Sequence, residues 1–206
     1  MTTMKLSKRA LLALAAASLG GLAFAAATVD QPAPAFTAQT ADGRSIDLAS
    51  LRGKTVVLEW TNHDCPYVRK HYESGNIPAQ QKEAADKGVV WLQVISSAPG
   101  QQGFVDGATA VKLNASRAAA PSATLLDPTG QIGKAYGAQT TPHLYVIAPD
   151  GQLVYKGGID SIATSKKEDI AKAEPYVRLA LADLAAGRKV AQPNTRPYGC
   201  SIKYAS

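Results

Sequence analysis

The chain carries two cysteines in 206 residues, and the first stands where a thiol is readily activated. An apolar, β-branched run, Val56-Val57-Leu58-Glu59-Trp60, leads through Thr61-Asn62-His63-Asp64 to Cys65, and Pro66 follows at once. No helix breaker lies between Tyr67 and Tyr72. The spacing therefore predicts a strand, a short polar loop, Cys65, and then a helix opened by Pro66, whose missing N–H costs nothing at the first helical position. Unpaired amides and the helix dipole favour a thiolate at such a place. The chemistry this allows is attack on a disulfide or a peroxide. A half-cystine that only staples the chain is the alternative reading of the same residue.

Other groups could assist. Glu59 lies in an otherwise apolar strand. If buried, its raised pKa would suit a general base; at a strand end it would reach solvent instead. His63, two residues before Cys65, could lower the thiol pKa or relay a proton, and His143 could face the same pocket; either could equally be an ordinary loop or strand-end histidine. His63, Cys65 and His143 would suit a soft ion such as copper(I). No tight ligand spacing supports that, so neither a metal nor a cofactor is expected. Asn62 and Asp64 read as loop-shaping and helix-capping residues, His71 as a surface residue, and Arg69 and Lys70 as a solvated pair, or as cations that attract an anionic substrate or support the thiolate. Cys200 is the only other thiol. It could resolve Cys65 in turnover, or form a permanent staple on the order of 5 kcal/mol in the loop-entropy model; a partner's thiol could also resolve Cys65.

The elements that must position these groups follow from pattern. Phe36 to Leu48 reads as a hairpin turning at Asp42-Gly43. Lys54 to Trp60 and Val89 to Ile95 read as buried strands. Helical composition spans Pro66 to Lys87, interrupted at Gly75, Asn76 and Pro78, and returns from Thr109 to Ala119. A short strand at Thr124 to Leu126, a short helix from Gln131 to Tyr136 and a strand from Thr141 to Ile147 follow. Asp150-Gly151 turns into Gln152 to Lys156. Ser165-Lys166-Lys167-Glu168 matches a capping box, and Val177, Ala180, Leu181 and Leu184 share one helical face. Alternating strands and helices closed by an antiparallel hairpin give an α/β class with a central mixed β-sheet flanked by helices.

The start of the chain is a different object. Lys5, Lys8 and Arg9 precede an apolar run from Ala10 to Leu19, and Ala23-Phe24-Ala25 is a small-x-small pattern. Residues 1–25 therefore read as a signal peptide cleaved near Ala25 to Ala27, leaving no membrane anchor. Removing those three cations takes the formal charge from +6 to +3. No basic cluster with interleaved aromatics supports nucleic-acid binding.

The order of parts resembles the thioredoxin fold, with Thr141-Pro142 opening the late strand. The resemblance implies a cis proline beside the reactive sulfur, with Thr141, Pro142 and His143 lining the substrate side. It also puts Glu59 where thioredoxins hold a proton-shuttling buried carboxylate. More narrowly, Leu125-Leu126-Asp127-Pro128-Thr129-Gly130, Tyr136 to Pro142, Asn62 to Val68 and Tyr198 to Tyr204 are similar to a peroxiredoxin-like redoxin group of exported bacterial proteins. This resemblance spans about residues 29 to 204. It implies a redoxin domain at 29–187 and a C-terminal tail at 188–206 that carries Cys200. The protein would be periplasmic, its partners a disulfide-bearing protein or a small thiol or peroxide, with a periplasmic reductant. Val68 stands where dithiol thioredoxins have a second cysteine. Asn62, Leu58 and Pro142 stand where typical peroxiredoxins have threonine, proline and the peroxide-binding arginine.

Overall fold

A computed structural model describes residues 26–205. The expected signal peptide lies outside the described residues. Among those described, no helix is long and apolar enough to cross a membrane.

The strands are β1 (Thr37–Thr40), β2 (Ser45–Asp47), β3 (Val56–Trp60), β4 (Val90–Ile95), β5 (Ala123–Leu126), β6 (Thr140–Thr141), β7 (His143–Ile147), β8 (Leu153–Gly157) and β9 (Cys200–Ser201). The helices are α1 (Pro66–Glu73), α2 (Asn76–Asp86), α3 (Gly107–Ser116), α4 (Gln131–Tyr136) and α5 (Tyr176–Ala185). Seven strands form one sheet in the order β2-β1-β5-β4-β3-β7-β8, while β6 and β9 pair apart from it. β4 runs parallel to β3 and β5, and β3 runs antiparallel to β7. This is the mixed α/β sheet that the pattern predicts.

β3 lies inside the sheet, between β4 and β7, and is wholly buried, as expected of a Val-Val-Leu-Glu-Trp run covered on both faces. Its alternation divides the core. Val56, Leu58 and Trp60 pack with Phe36, Tyr136 and Tyr145 on one face. Val57 packs with Cys65, Val68, Tyr72 and Trp91 on the other, against α1, α2 and α5. The tail crosses between them: Ile202 joins the first cluster and Tyr198 the second.

Two local expectations change. Pro78 does not break the chain, because α2 starts at Asn76 and carries the proline in its first turn, where no amide is needed. Ser165 to Glu168 forms no capping box. A 3₁₀ segment runs from Lys167 to Lys172 without a side-chain cap, and Thr164 Oγ1 instead donates to Asp169 Oδ2 at 2.7 Å.

Candidate active site

Cys65 is the N-cap of α1, with Pro66 at the first helical position. Its own amide donates to Asn62 O at 3.1 Å, and its carbonyl accepts from Arg69 N at 2.9 Å. Asn62 shapes the loop, since its Oδ1 accepts from Asp64 N at 2.9 Å. Neither Asn62 nor Asp64 caps α1; that position belongs to Cys65 itself. The Cys65 residue is fully buried.

Two chain segments close over the sulfur. The Cys65 thiol donates to Thr141 O at 3.0 Å, and the Cys200 amide donates to Cys65 Sγ at 3.4 Å across 135 residues. The Thr141–Pro142 peptide is cis. β9 pairs antiparallel with β6, placing Cys200 opposite Thr141 and Ser201 opposite Thr140. Both cysteines are free thiols. The expected pair is therefore present as a contact, not as a bond. Burial, and then the hydrogen bond with Cys65, push the Cys200 thiol up to about 12, so it is a protonated thiol at neutral pH.

Glu59 does not reach solvent. Tyr72 Oη donates to its Oε1 at 2.6 Å, and Trp91 Nε1 and Gln81 Nε2 donate to its Oε2 at 2.7 and 3.2 Å. Burial raises its pKa, opposed by those donors and by the charge of Arg117. The guanidinium of Arg117 lies 3.8 Å from the Tyr72 ring centroid. Strand alternation puts Glu59 on the Cys65 face of the sheet. Tyr72, Gln81, Trp91 and Arg117 are not legible as a group in the sequence, because four separate segments contribute them.

Of the two histidines, His143 departs from the expected place beside the thiol. His63 Nε2 faces Asp64 Oδ1 at 3.3 Å, with its side chain partly in solvent. His143 stacks on Tyr145, ring centroids 4.6 Å apart, and its Nδ1 accepts from Gln139 N at 3.3 Å. Tyr145 belongs to the cluster opposite Cys65, so His143 lies across the sheet from the thiol. Burial, with the nearby Lys156 charge, lowers its pKa to about 3 and keeps the ring neutral. Among the described residues no three His, Cys, Asp or Glu side chains gather as a metal site.

His71 and Lys70, read from the sequence as surface and solvated residues, are buried. The tail residue Tyr198 lies over this side of α1, and its hydroxyl is 3.1 Å from His71 Nε2. A helix's own period cannot reveal a cover that arrives from the chain terminus. Arg69 does stay exposed, paired with Glu73 at 2.9 Å.

Comparison with known proteins gives the family and the fold. The profile of the AhpC/TSA family matches residues 29–156. No curated protein matches the chain. Among solved structures, an uncharacterized conserved protein of Geobacillus kaustophilus superposes with TM-score 0.73 at 24% identity, over 86% of this chain and 93% of that one. A hypothetical protein of Sinorhizobium meliloti 1021 gives 0.72 at 20% identity, over 88% and 97%. A proposed thiol:disulfide interchange protein DsbE of Chlorobium tepidum gives 0.51 at 21% identity, over 64% and 85%. These likenesses show a shared fold, which is thioredoxin-like.

Proposed function

The chain belongs to the AhpC/TSA family, and on that premise we propose that it is an exported thiol oxidoreductase in which Cys65 is the nucleophile and Cys200 the resolving thiol. One observation carries the reading. Two cysteines 135 residues apart meet, with the Cys200 amide 3.4 Å from Cys65 Sγ. Residues 1–25 direct export to the periplasm, 29–187 are the redoxin domain, and 188–206 supply the resolving thiol.

In the first step the Cys65 thiolate attacks one sulfur of a disulfide, forming a mixed disulfide and expelling the other sulfur as a thiolate. In the second, Cys200 attacks Cys65 Sγ and expels the remaining substrate thiolate. The two cysteine protons end on the two departing thiols, and an external dithiol in the periplasm restores the pair. A hydroperoxide enters by the same attack: its O–O bond breaks, the alcohol (or water) departs with a proton, and the sulfenate left on Cys65 condenses with the Cys200 thiol to the same bond with loss of water. Of the two proton carriers, His63 is the better placed, because it touches solvent and Glu59 is sealed. Thr141 and Pro142 form the substrate wall of the site.

Mass spectrometry of reduced protein treated with glutathione disulfide tests the scheme. Cys200→Ser should accumulate a Cys65–glutathione adduct, wild type should pass to the Cys65–Cys200 bond, and Cys65→Ser should do neither. A Cys200→Ser protein that forms no adduct overturns the assignment. The peroxide arm is read by trapping a Cys65 sulfenate in the same variant.

The full burial of Cys65 favours one second reading, a structural staple that never opens. A midpoint potential below about −300 mV would support it, and one above about −250 mV would support turnover.

A further inference from the structure

Cys200 lies between two anchors of the tail. Beyond it, the Ile202 amide donates to Gln139 O at 3.0 Å, and the Tyr204 hydroxyl donates to Ala138 O at 2.7 Å with its ring over Gly130 and Gly133. Before it, the anchor is Tyr198, and that one is polar and buried. Its hydroxyl donates to Asp160 Oδ1 at 2.5 Å and faces His71 Nε2 at 3.1 Å.

The direction of these bonds is set by the neighbours. Gln80 Nε2 donates to Asn76 Oδ1 at 3.3 Å, so the Asn76 amide nitrogen is the group that faces His71 Nδ1 at 2.8 Å. His71 therefore carries its proton on Nε2, whose N–H donates to the Tyr198 oxygen, and the Tyr198 O–H in turn donates to Asp160. Lys70, buried beside them, holds its Nζ 3.8 Å from Asp160 Oδ2 and donates to Ile162 O at 3.3 Å. The ammonium also lies 5.6 Å from the Tyr198 ring centroid. A buried lysine–aspartate pair is a costly way to fill space, and here it surrounds one tail hydroxyl.

Lys70 and His71 belong to α1, the helix that begins directly after Cys65. We infer that Tyr198 is the positioning residue of the cysteine pair: clasped by His71 and Asp160, it fixes Cys200 to the same helix that carries the nucleophile. The inference rests on Cys200 being the resolving thiol. A thiol on a loose tail meets its partner at the effective concentration of a flexible linker, whereas a docked one exceeds it greatly. The clasp makes the second step of the exchange an event within one rigid frame.

The measurement is the effective concentration of Cys200 toward Cys65, from equilibrium with reduced and oxidised glutathione. Tyr198→Phe keeps the ring against Tyr67, 5.8 Å away, and removes only the hydroxyl. It should lower the effective concentration about tenfold, which raises the midpoint potential by about 30 mV. Conversion of the Cys65–glutathione adduct to the internal bond should slow by the same factor, and formation of the adduct should not slow. Asp160→Ala should match Tyr198→Phe, while Asp160→Asn, which retains an acceptor for the hydroxyl, should stay near wild type. Variants that lose thermal stability but keep the wild-type effective concentration overturn the positioning role. A wild-type protein that forms no Cys65–Cys200 bond at any glutathione ratio overturns the resolving role itself, and the clasp's function with it.

Discussion

At the scale of single residues, the clearest departure from surface chemistry is Glu59. A carboxylate with three donors converging on it is fully provided for as an acceptor. Once protonated, its own O–H has the Tyr72 oxygen within reach at 2.6 Å. Burial is the larger influence and raises the pKa. The folded chain thus holds this proton more tightly than the unfolded chain. Glu59 contributes stability that is fully present below the ordinary carboxylate pKa and is lost as pH rises through the folded value. Denaturant unfolding of the reduced protein as a function of pH should show this decline, with a slope of up to about 1.4 kcal/mol per pH unit in that window. Glu59→Gln should flatten it. A wild-type profile that rises across the window would mean that the donors outweigh burial. That strand position 59 bears a carboxylate is plain in the sequence. Its donors are not, because they come from α1, α2 and β4 and meet only when those elements pack.

At the scale of elements, the strand–loop–helix unit around Cys65 was legible because each part is local: β-branched run, polar loop, N1 proline. The docking of β9 on β6 was not, since two-residue strands carry no period. What permits it is one glycine. Gly199 sits at φ +137, and a Cβ there would run into the Thr141 carbonyl oxygen and lie 3.2 Å from Pro142 N. The tail therefore comes this close to the Thr141–Pro142 wall only without a side chain at position 199. Gly199→Ala should lift the Cys200 segment from β6. Left-handed strain and contact of this kind, roughly 1–3 kcal/mol, correspond to a rise of about 5- to 150-fold in the open population. Alkylation of Cys65 by a bulky maleimide under native conditions should accelerate by that factor, with circular dichroism unchanged. Equal alkylation rates in the two proteins would show that Gly199 does not control access to the sulfur.

At the scale of the whole molecule, the tail ties the end of the chain to its middle. Ile202 and Tyr198 enter the two opposite core clusters, so the reduced fold already holds Cys200 in place before any bond forms. Closing Cys65 to Cys200 then changes the native state little and the unfolded state greatly, because it joins residues 135 apart. The loop-entropy model assigns a ring of that length about 5 kcal/mol of stabilisation. The same quantity governs the bond. A fold favoured by about 5 kcal/mol when the bond is closed must favour the closed bond equally, which lowers its midpoint potential by about 100 mV relative to the unfolded chain. Two independent measurements therefore close one cycle. Guanidinium unfolding with and without reductant gives the first, and glutathione titration of native against denatured protein gives the second. Cys200→Ser should unfold identically under both conditions. Values near 5 kcal/mol and 100 mV mean that the native site accepts the bond in its docked geometry. A gain below about 1 kcal/mol would mean that closing the bond must pull β9 or α1 from the positions they hold in the reduced protein.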